Sequence, residues 1–245
     1  MRDLRFKTVA VLRGLVRAVI ILSTAVTPAG AQSSEANRRA EALGFIAPIP
    51  GPAQVELPGG ALFTVPAGFA FLDPYETTWA ADTLLGKEVE GEYALYDQAG
   101  TWTVLIRYDE VGYVRDTGRV DADALLRLIR AHEKAQVRAG GPEQHTVGWA
   151  RPLRYDRTGR RLDCSTLVET PAGAKWTHET RILGRRGFFT FTLASDASFD
   201  EAYSVFEKAL AGFVITAGHR YEDFQPGDKL APGGIAAMVG LRDTE

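Results

Sequence analysis

The segment HTVGWARPLRYDRTGRRLDCSTLVETPAGAKWTHETRILGRRGFFTFTLA, residues 145–194, decides the fold of this chain. It contains four β-like runs, at 145–155, 161–169, 175–183 and 188–194, each rich in β-branched or aromatic residues. The connections between them are short and contain glycine in every case. Parallel neighbours require a long crossover, whereas antiparallel neighbours can be joined by a tight turn. The segment therefore predicts an antiparallel meander of four strands.

Hairpins and helices are predicted on both sides of the meander. Upstream, the alternation of apolar and polar residues predicts one hairpin at 54–65 and another at 88–109. Asp73, Pro74 and Glu76 are spaced as the start of a helix that ends near Leu85. An apolar stripe predicts a long helix at 121–139, and a last helix is predicted at 199–210, with Ser198 and Glu201 spaced as a capping box.

These elements predict a single α+β domain, in which two or three helices pack on an antiparallel meander sheet. Each predicted helix has one apolar face that must be buried against another layer. Stacking the two amphipathic helices on one face of the sheet is the simplest arrangement that achieves this. A half-open β-sandwich is the alternative.

The N-terminus has the features of a secretory signal peptide. A basic region with five Arg and Lys residues precedes the apolar run 18–26, and the small residues Ala29-Gly30-Ala31 follow. We expect cleavage after Ala31 and export to the periplasm or cell envelope. Residues 32–52 are then a flexible lead-in, 53–230 the domain, and 231–245 a short C-terminal tail.

The net charge limits the classes of partner, and the cysteine content limits the possible disulfides. The signal segment holds five basic residues and one acidic residue, which leaves 23 basic and 30 acidic residues and a net charge of about −7. This charge argues against nucleic acid or anionic lipid as the main partner. Cys164 is the only cysteine, so an intramolecular disulfide is excluded, and its place in a strand pattern predicts a buried apolar role.

The sequence shows no recognisable catalytic, metal or cofactor site. No serine lies in a G-x-S-x-G motif, and His132-Glu133 lacks the second histidine of a zinc helix. A periplasmic hydrolase with an unrecognised site, using residues such as His178, Asp156 or Asp223, stays open as an alternative. A small-ligand carrier that uses the apolar face of the sheet is another.

Aromatic and charged residues gather near predicted strand ends and turns. Such side chains are favoured at binding surfaces, and they also serve as lids over a core or as turn formers. On the first interpretation they would bind an unknown envelope protein or another envelope component. The candidate binding residues are Tyr113, Trp149, Tyr155, Asp156, Arg181, Arg185, Arg220, Tyr221 and Asp223.

Several segments occur together in this order: Trp102–Tyr108, Gly112–Val114, Asp121–Leu126, Val147–Trp149 with Pro152 and Tyr155–Asp156, Thr180–Arg181 with Leu183–Arg185, and Arg220–Tyr221 with Asp223–Phe224 and Pro226–Gly227. Together they resemble the bacterial family DUF2167, a domain of unknown function described as belonging to predicted membrane-anchored proteins. The resemblance covers residues from about Gly51 to Val239. It implies an envelope location and carries over no catalytic residues. It also implies a transmembrane helix after the domain, whereas the apolar stretch 233–241 is shorter than the roughly 20 residues that a spanning helix needs. Attachment to the membrane is left open.

We therefore expect an exported, non-catalytic binding or structural module of the cell envelope.

Overall fold

A computed structural model describes residues 46–85, 89–97, 102–195 and 199–241. The predicted signal peptide, the predicted cap at Ser198 and the predicted turn around Gly100 lie outside these residues. Within them, no helix is long and apolar enough to cross a membrane.

The described strands form two antiparallel sheets. The large sheet contains eight strands in the order β1-β4-β5-β6-β10-β9-β8-β7, and the small sheet contains three in the order β11-β3-β2. Since β7 to β10 lie side by side in sequence order, the predicted meander is confirmed. The strands are β1 (Ile49–Pro50), β2 (Ala53–Leu57), β3 (Ala61–Val65), β4 (Phe69–Leu72), β5 (Tyr93–Asp97), β6 (Trp102–Asp109), β7 (His145–Asp156), β8 (Arg161–Thr170), β9 (Gly173–Leu183), β10 (Phe188–Ser195) and β11 (Phe213–Ile215).

Four helices accompany the sheets in the described part of the chain: α1 (Pro74–Leu85), α2 (Ala122–Arg138), α3 (Phe199–Leu210) and the single turn α4 (Ile235–Met238). The caps follow from the sequence. The Asp73 carboxylate accepts the Glu76 amide, and the Glu76 carboxylate accepts the Asp73 amide, as in a capping box. Asp121 accepts the Ala124 amide at the start of α2.

One face of the large sheet is covered by the small sheet and α3. Alternate residues of β6 and β10, among them Val104, Ile106 and Phe191, point into this first core. Phe63 of β3 and Phe206 of α3 close it from above.

The opposite face is covered by α2 and by the C-terminal segment that contains α4. Leu125 and Ile129 of α2 pack with Leu162 and Phe188 of the sheet in a second core. The expectation that both amphipathic helices lie on one face is therefore wrong, because α2 and α3 pack on opposite faces. The physical reason is that the central strands carry apolar side chains on both sides, so each face needs its own cover.

The ordered domain extends past both expected boundaries. Ile49 and Pro50 of the expected lead-in pair with Phe71 and Ala70 of β4. In the expected tail, Ile235 and Met238 are buried in the second core. The small sheet was not predicted as a separate layer, since its third strand, β11, has only three residues.

Candidate functional site

A serine, a histidine and an aspartate meet where β8 and β9 pass beneath α3. The register of these strands places Ser165 opposite His178 and Asp163 opposite Thr180. The Ser165 hydroxyl oxygen lies 2.7 Å from His178 Nδ1, and His178 Nε2 lies 3.0 Å from the Thr180 hydroxyl oxygen. The Thr180 hydroxyl in turn donates to Asp163 Oδ1 over 2.6 Å. We call these four residues the polar network.

The direction of the hydrogen bonds fixes the state of the imidazole. Because the Thr180 hydroxyl gives its proton to Asp163, it accepts from His178 Nε2–H. Nδ1 of a neutral imidazole is then the acceptor, and the Ser165 hydroxyl donates to it. Burial, followed by the charge of Arg161, lowers the pKa of His178 to about 3. The histidine is therefore neutral at physiological pH.

This network contains the residue types of a serine hydrolase triad, but Thr180 stands between the histidine and the aspartate, and the network cannot receive a substrate. Ser165 has 0% and His178 1% of its surface exposed. The rings of Tyr203 and Phe206 of α3 meet the imidazole edge-on, with centroids 4.9 and 5.2 Å away. A histidine with a pKa of about 3 is also a weak general base near neutral pH. The arrangement serves the packing of α3 on the sheet.

Arg161 connects the network to α3. Its Nε donates to Asp163 over 2.7 Å, and its two terminal nitrogens donate to the two carboxylate oxygens of Glu207. Burial alone would raise the pKa of Glu207, but the hydrogen bonds and charge of Arg161 outweigh it and lower that pKa. The ion pair therefore holds one side of α3 against the sheet.

Six of the nine candidate binding residues lie together around the C-terminal segment 216–231. The ring centroids of Tyr113 and Tyr221 are 4.5 Å apart, and the Arg160 guanidinium lies 4.6 Å from the centre of the Tyr221 ring. Arg160 and Asp116 also face the Tyr155 hydroxyl, and burial and then Asp116 raise the pKa of Tyr155 to about 12. The six residues are Tyr113, Tyr155, Arg185, Arg220, Tyr221 and Asp223.

Two apolar side chains are exposed on this cluster. Phe224 packs on Tyr113 with ring centroids 4.3 Å apart, yet 38% of Phe224 is exposed. Leu230 pairs with Tyr113 through a parallel β-bridge and is 42% exposed. We call Tyr113, Phe224 and Leu230 the aromatic patch. Isolated exposed apolar residues are ordinary, but a contiguous group of them indicates an interaction site.

Hydrogen bonds hold the segment beneath the patch in one conformation. Arg185 donates to both carboxylate oxygens of Asp228, over 2.7 and 2.9 Å. Hydrogen bonding by Arg185 lowers the pKa of Asp228 to about 2. Asp223 accepts the amides of Gly218 and Arg220 over 2.7 and 3.0 Å, which shapes the turn before Tyr221.

A glycine lets this segment approach the sheet. Gly112 has φ +104°, and a Cβ there would lie 2.6 Å from the Lys229 carbonyl oxygen. Only glycine permits both the backbone conformation and the close contact that brings Leu230 beside Tyr113.

The other three candidates lie elsewhere and do not join the patch. Arg181 points into the interior from β9, is 1% exposed, pairs with Glu179 over 2.5 Å, and donates to the Met238 carbonyl. Trp149 is half-buried against the second core. Asp156 is exposed at the β7–β8 turn, where its carboxylate accepts the Thr158 amide, so it forms the turn.

The described residues offer little support for a site for an apolar ligand, a metal ion or a reactive thiol. Among Phe63, Phe191 and Phe206 the cavity volume is about 10 Å³, too small for the ligand of an apolar carrier. In the described residues, no three His, Cys, Asp or Glu side chains are placed to hold a metal ion. Cys164 is buried as predicted, and burial raises the pKa of its thiol.

Two features of the site do not follow from the sequence analysis. Ser165 lies in no catalytic motif, and Leu230 lies in no element that the sequence predicts. The signal for Ser165 was present, since counting outward from the tight turn at Pro171-Ala172 places it opposite His178. No local signal marks Leu230, whose position depends on a bridge to Tyr113, far away in the sequence.

Comparison with known proteins gives a family and little more. The chain is similar in structure to cyanobacterial PsbP (CyanoP) from Synechocystis sp. PCC 6803, with 12% identity, a TM-score of 0.42, and coverage of 67% of this chain and 92% of that one. It is also similar to a mutant of the protein Mog1, with 12% identity, a TM-score of 0.36, and coverage of 69% and 96%. Similarities this low carry no functional information. No curated protein matches. Residues 49–242 match the model of the family described as protein of unknown function (DUF2167), and the chain belongs to that family.

Proposed function

We propose that this protein is a non-catalytic binding module of the bacterial cell envelope, and that it binds a protein partner through the aromatic patch. The observation that carries the proposal is a contrast in accessibility. The serine and histidine that could perform chemistry are closed off from solvent, whereas Phe224 and Leu230 are 38% and 42% exposed on a segment held by hydrogen bonds.

The patch has the composition of a binding surface for protein. Aromatic side chains give a large contact area with few rotatable bonds, and a rigid support lowers the entropy lost on binding. Tyr221 supplies that support from below, since it is buried and stacked on Tyr113.

Charges of both signs surround the patch. Arg115, Arg220 and Lys229 are exposed on the two chain segments that carry Tyr113, Phe224 and Leu230, and Glu110 and Glu222 are exposed on the same segments. An apolar centre with a polar rim is the usual anatomy of a protein interface, and a rim of mixed charge favours a partner whose own rim is also mixed.

The location in the envelope rests on the N-terminal sequence. The basic region, apolar run and small-residue triplet that end at Ala31 support export. Fractionation of cells that produce the tagged full chain, with N-terminal sequencing of the product, tests this part. A product that starts at Gln32 in the envelope fraction supports it, and an uncleaved product in the cytosol contradicts it.

The binding function is tested by capture with matched variants. The tagged protein is incubated with envelope extract, and retained proteins are identified by mass spectrometry, purified and titrated against each variant. We expect Phe224→Ser and Leu230→Ser to weaken binding at least about tenfold, or roughly 1.4 kcal/mol. Val214→Ser serves as the control, because Val214 is also exposed, at 55%, but lies on β11 in the small sheet. Equal affinity of all three variants would contradict the proposal.

A further inference from the structure

A groove lined by several charged side chains lies between the last turns of α2, the start of β7 and the end of β8. Its volume is about 660 Å³, within the range of roughly 300–1,000 Å³ that small-molecule sites occupy. It is lined by α2 on one side and by the start of β7 and the β8–β9 turn on the other. Since that turn and the β9–β10 turn lie at opposite ends of β9, the groove is separate from the aromatic patch.

Two of the charged residues that line the groove already make hydrogen bonds within the protein. Glu133 accepts the Thr146 amide over 3.0 Å and the Thr146 hydroxyl over 2.5 Å. Arg130 donates to the carbonyl oxygens of Thr146 and Val147. These bonds fix the distance between α2 and β7, so the groove is formed in the absence of a ligand.

Two exposed cationic side chains of α2 also line the groove. Lys134 and Arg138 are exposed, lie one helical turn apart on α2, and line the groove. These two cationic groups can together receive a carboxylate.

The facing side carries the opposite charge. Glu169 near the end of β8 stands directly across from His145 of β7, and both line the groove together with Glu143. A simple anion such as phosphate would meet these carboxylates, whereas a ligand with both charges matches both walls.

We infer that the groove binds a short peptide with free termini, its carboxylate on Lys134 and Arg138, and its ammonium group on Glu169 and Glu143. The volume admits a ligand of a few residues. This site does not depend on the aromatic patch, and it adds a small ligand to the proposed protein partner.

Calorimetric titration with trialanine tests the inference. We expect saturable binding by the native full chain, and binding at least about tenfold weaker for the same peptide acetylated at its N-terminus and amidated at its C-terminus. Absence of binding at roughly millimolar peptide would overturn the inference, as would equal binding of the capped peptide. Inorganic phosphate that binds as tightly as trialanine would also overturn it, because the site would then select anions alone.

Three variants locate the binding. The double variant Lys134→Gln/Arg138→Gln and the single variant Glu169→Gln should each weaken trialanine binding at least about tenfold. Arg127→Gln is the matched control, since Arg127 is exposed on the same helix and does not line the groove. All of these side chains are exposed, so thermal unfolding should confirm that every variant is folded. Binding by the double variant that equals that of the control would contradict the assigned site.

Discussion

The hydroxyl oxygen of Ser165 lies 2.7 Å from Nδ1 of His178, and both side chains are closed off beneath α3. Together with Thr180 and Asp163 they form a continuous chain of hydrogen bonds inside the protein. A satisfied buried network of this kind fixes a unique packing arrangement, whereas loss of one member leaves a costly unpaired group. We therefore assign the network to the attachment of α3 on the sheet.

Acid should destabilise the fold through His178. In the unfolded chain the imidazole binds a proton near pH 6.5, but in the folded protein its pKa is lowered to about 3. Its contribution is therefore fully present above pH 6.5 and is lost as the pH falls, by about 1.4 kcal/mol per unit, until about pH 3. At pH 4.5 the loss relative to pH 7 should be about 3 kcal/mol. Urea unfolding at both pH values measures it.

The His178→Asn variant separates this effect from that of the carboxylates. The carboxylates with lowered pKa values, Glu207 and Asp228, are present in both proteins and lose their contribution at lower pH. We expect the variant to be less stable at pH 7 and to lose little further free energy of unfolding between pH 7 and 4.5. The same pH dependence in both proteins would contradict the assignment.

A serine-directed fluorophosphonate probe should not label Ser165. Labelling requires that the probe reach the hydroxyl, which is 0% exposed and bonded to an imidazole that Tyr203 and Phe206 cover. Mass spectrometry of the folded protein after incubation checks this, with a known serine hydrolase as the positive control. A probe adduct on Ser165 in the folded protein would contradict this expectation and support the alternative that the protein is a hydrolase.

The strand order could be predicted in part from the sequence, and the layer arrangement could not. The tight turn after Thr170 fixes the β8–β9 register, and the caps at Asp73 and Asp121 mark the starts of α1 and α2. The placement of α2 and α3 on opposite faces depends on apolar residues from distant strands. Local periodicity carries no such long-range information.

The sequence also predicts the candidate site only in part. Tyr113 and Tyr221 were selected for their residue type, and a long-range contact brings them together. Arg181 was selected for the same reason, but its strand is central and its side chain points into the interior. Residue type alone cannot distinguish an arginine on the surface from one paired with a buried glutamate.

Truncating the buried residue beneath the aromatic patch should reduce stability more than truncating an exposed residue of the patch. Tyr221 is buried and stacked, so Tyr221→Ala should cost about 3 kcal/mol of the free energy of unfolding. Phe224 is 38% exposed, so Phe224→Ala should cost about 1 kcal/mol or less. Urea unfolding at pH 7 measures both. A larger loss for Phe224→Ala than for Tyr221→Ala would show that Phe224 acts mainly in the core.

The Arg185–Asp228 pair should hold segment 216–231 over nearly the whole pH range. Because the pKa of Asp228 is lowered to about 2, its contribution is present above the usual carboxylate range and is lost only as the pH falls through about 2. Arg185→Gln removes the two-point hydrogen bond at any pH. We expect faster hydrogen exchange at Gly218 and Arg220 in this variant, measured at pH 6, with exchange in β9 unchanged. Unchanged exchange at both amides would contradict this role.

The most direct test of the proposed function is site-specific photo-cross-linking in living cells. A benzoylphenylalanine is placed at position 224 in place of Phe224, and in a second strain at position 214 in place of Val214. We predict that illumination gives one defined adduct with an envelope protein from position 224 and none from position 214, because only the first position lies in the aromatic patch. No adduct from position 224, or the same adduct from both positions, would contradict the account.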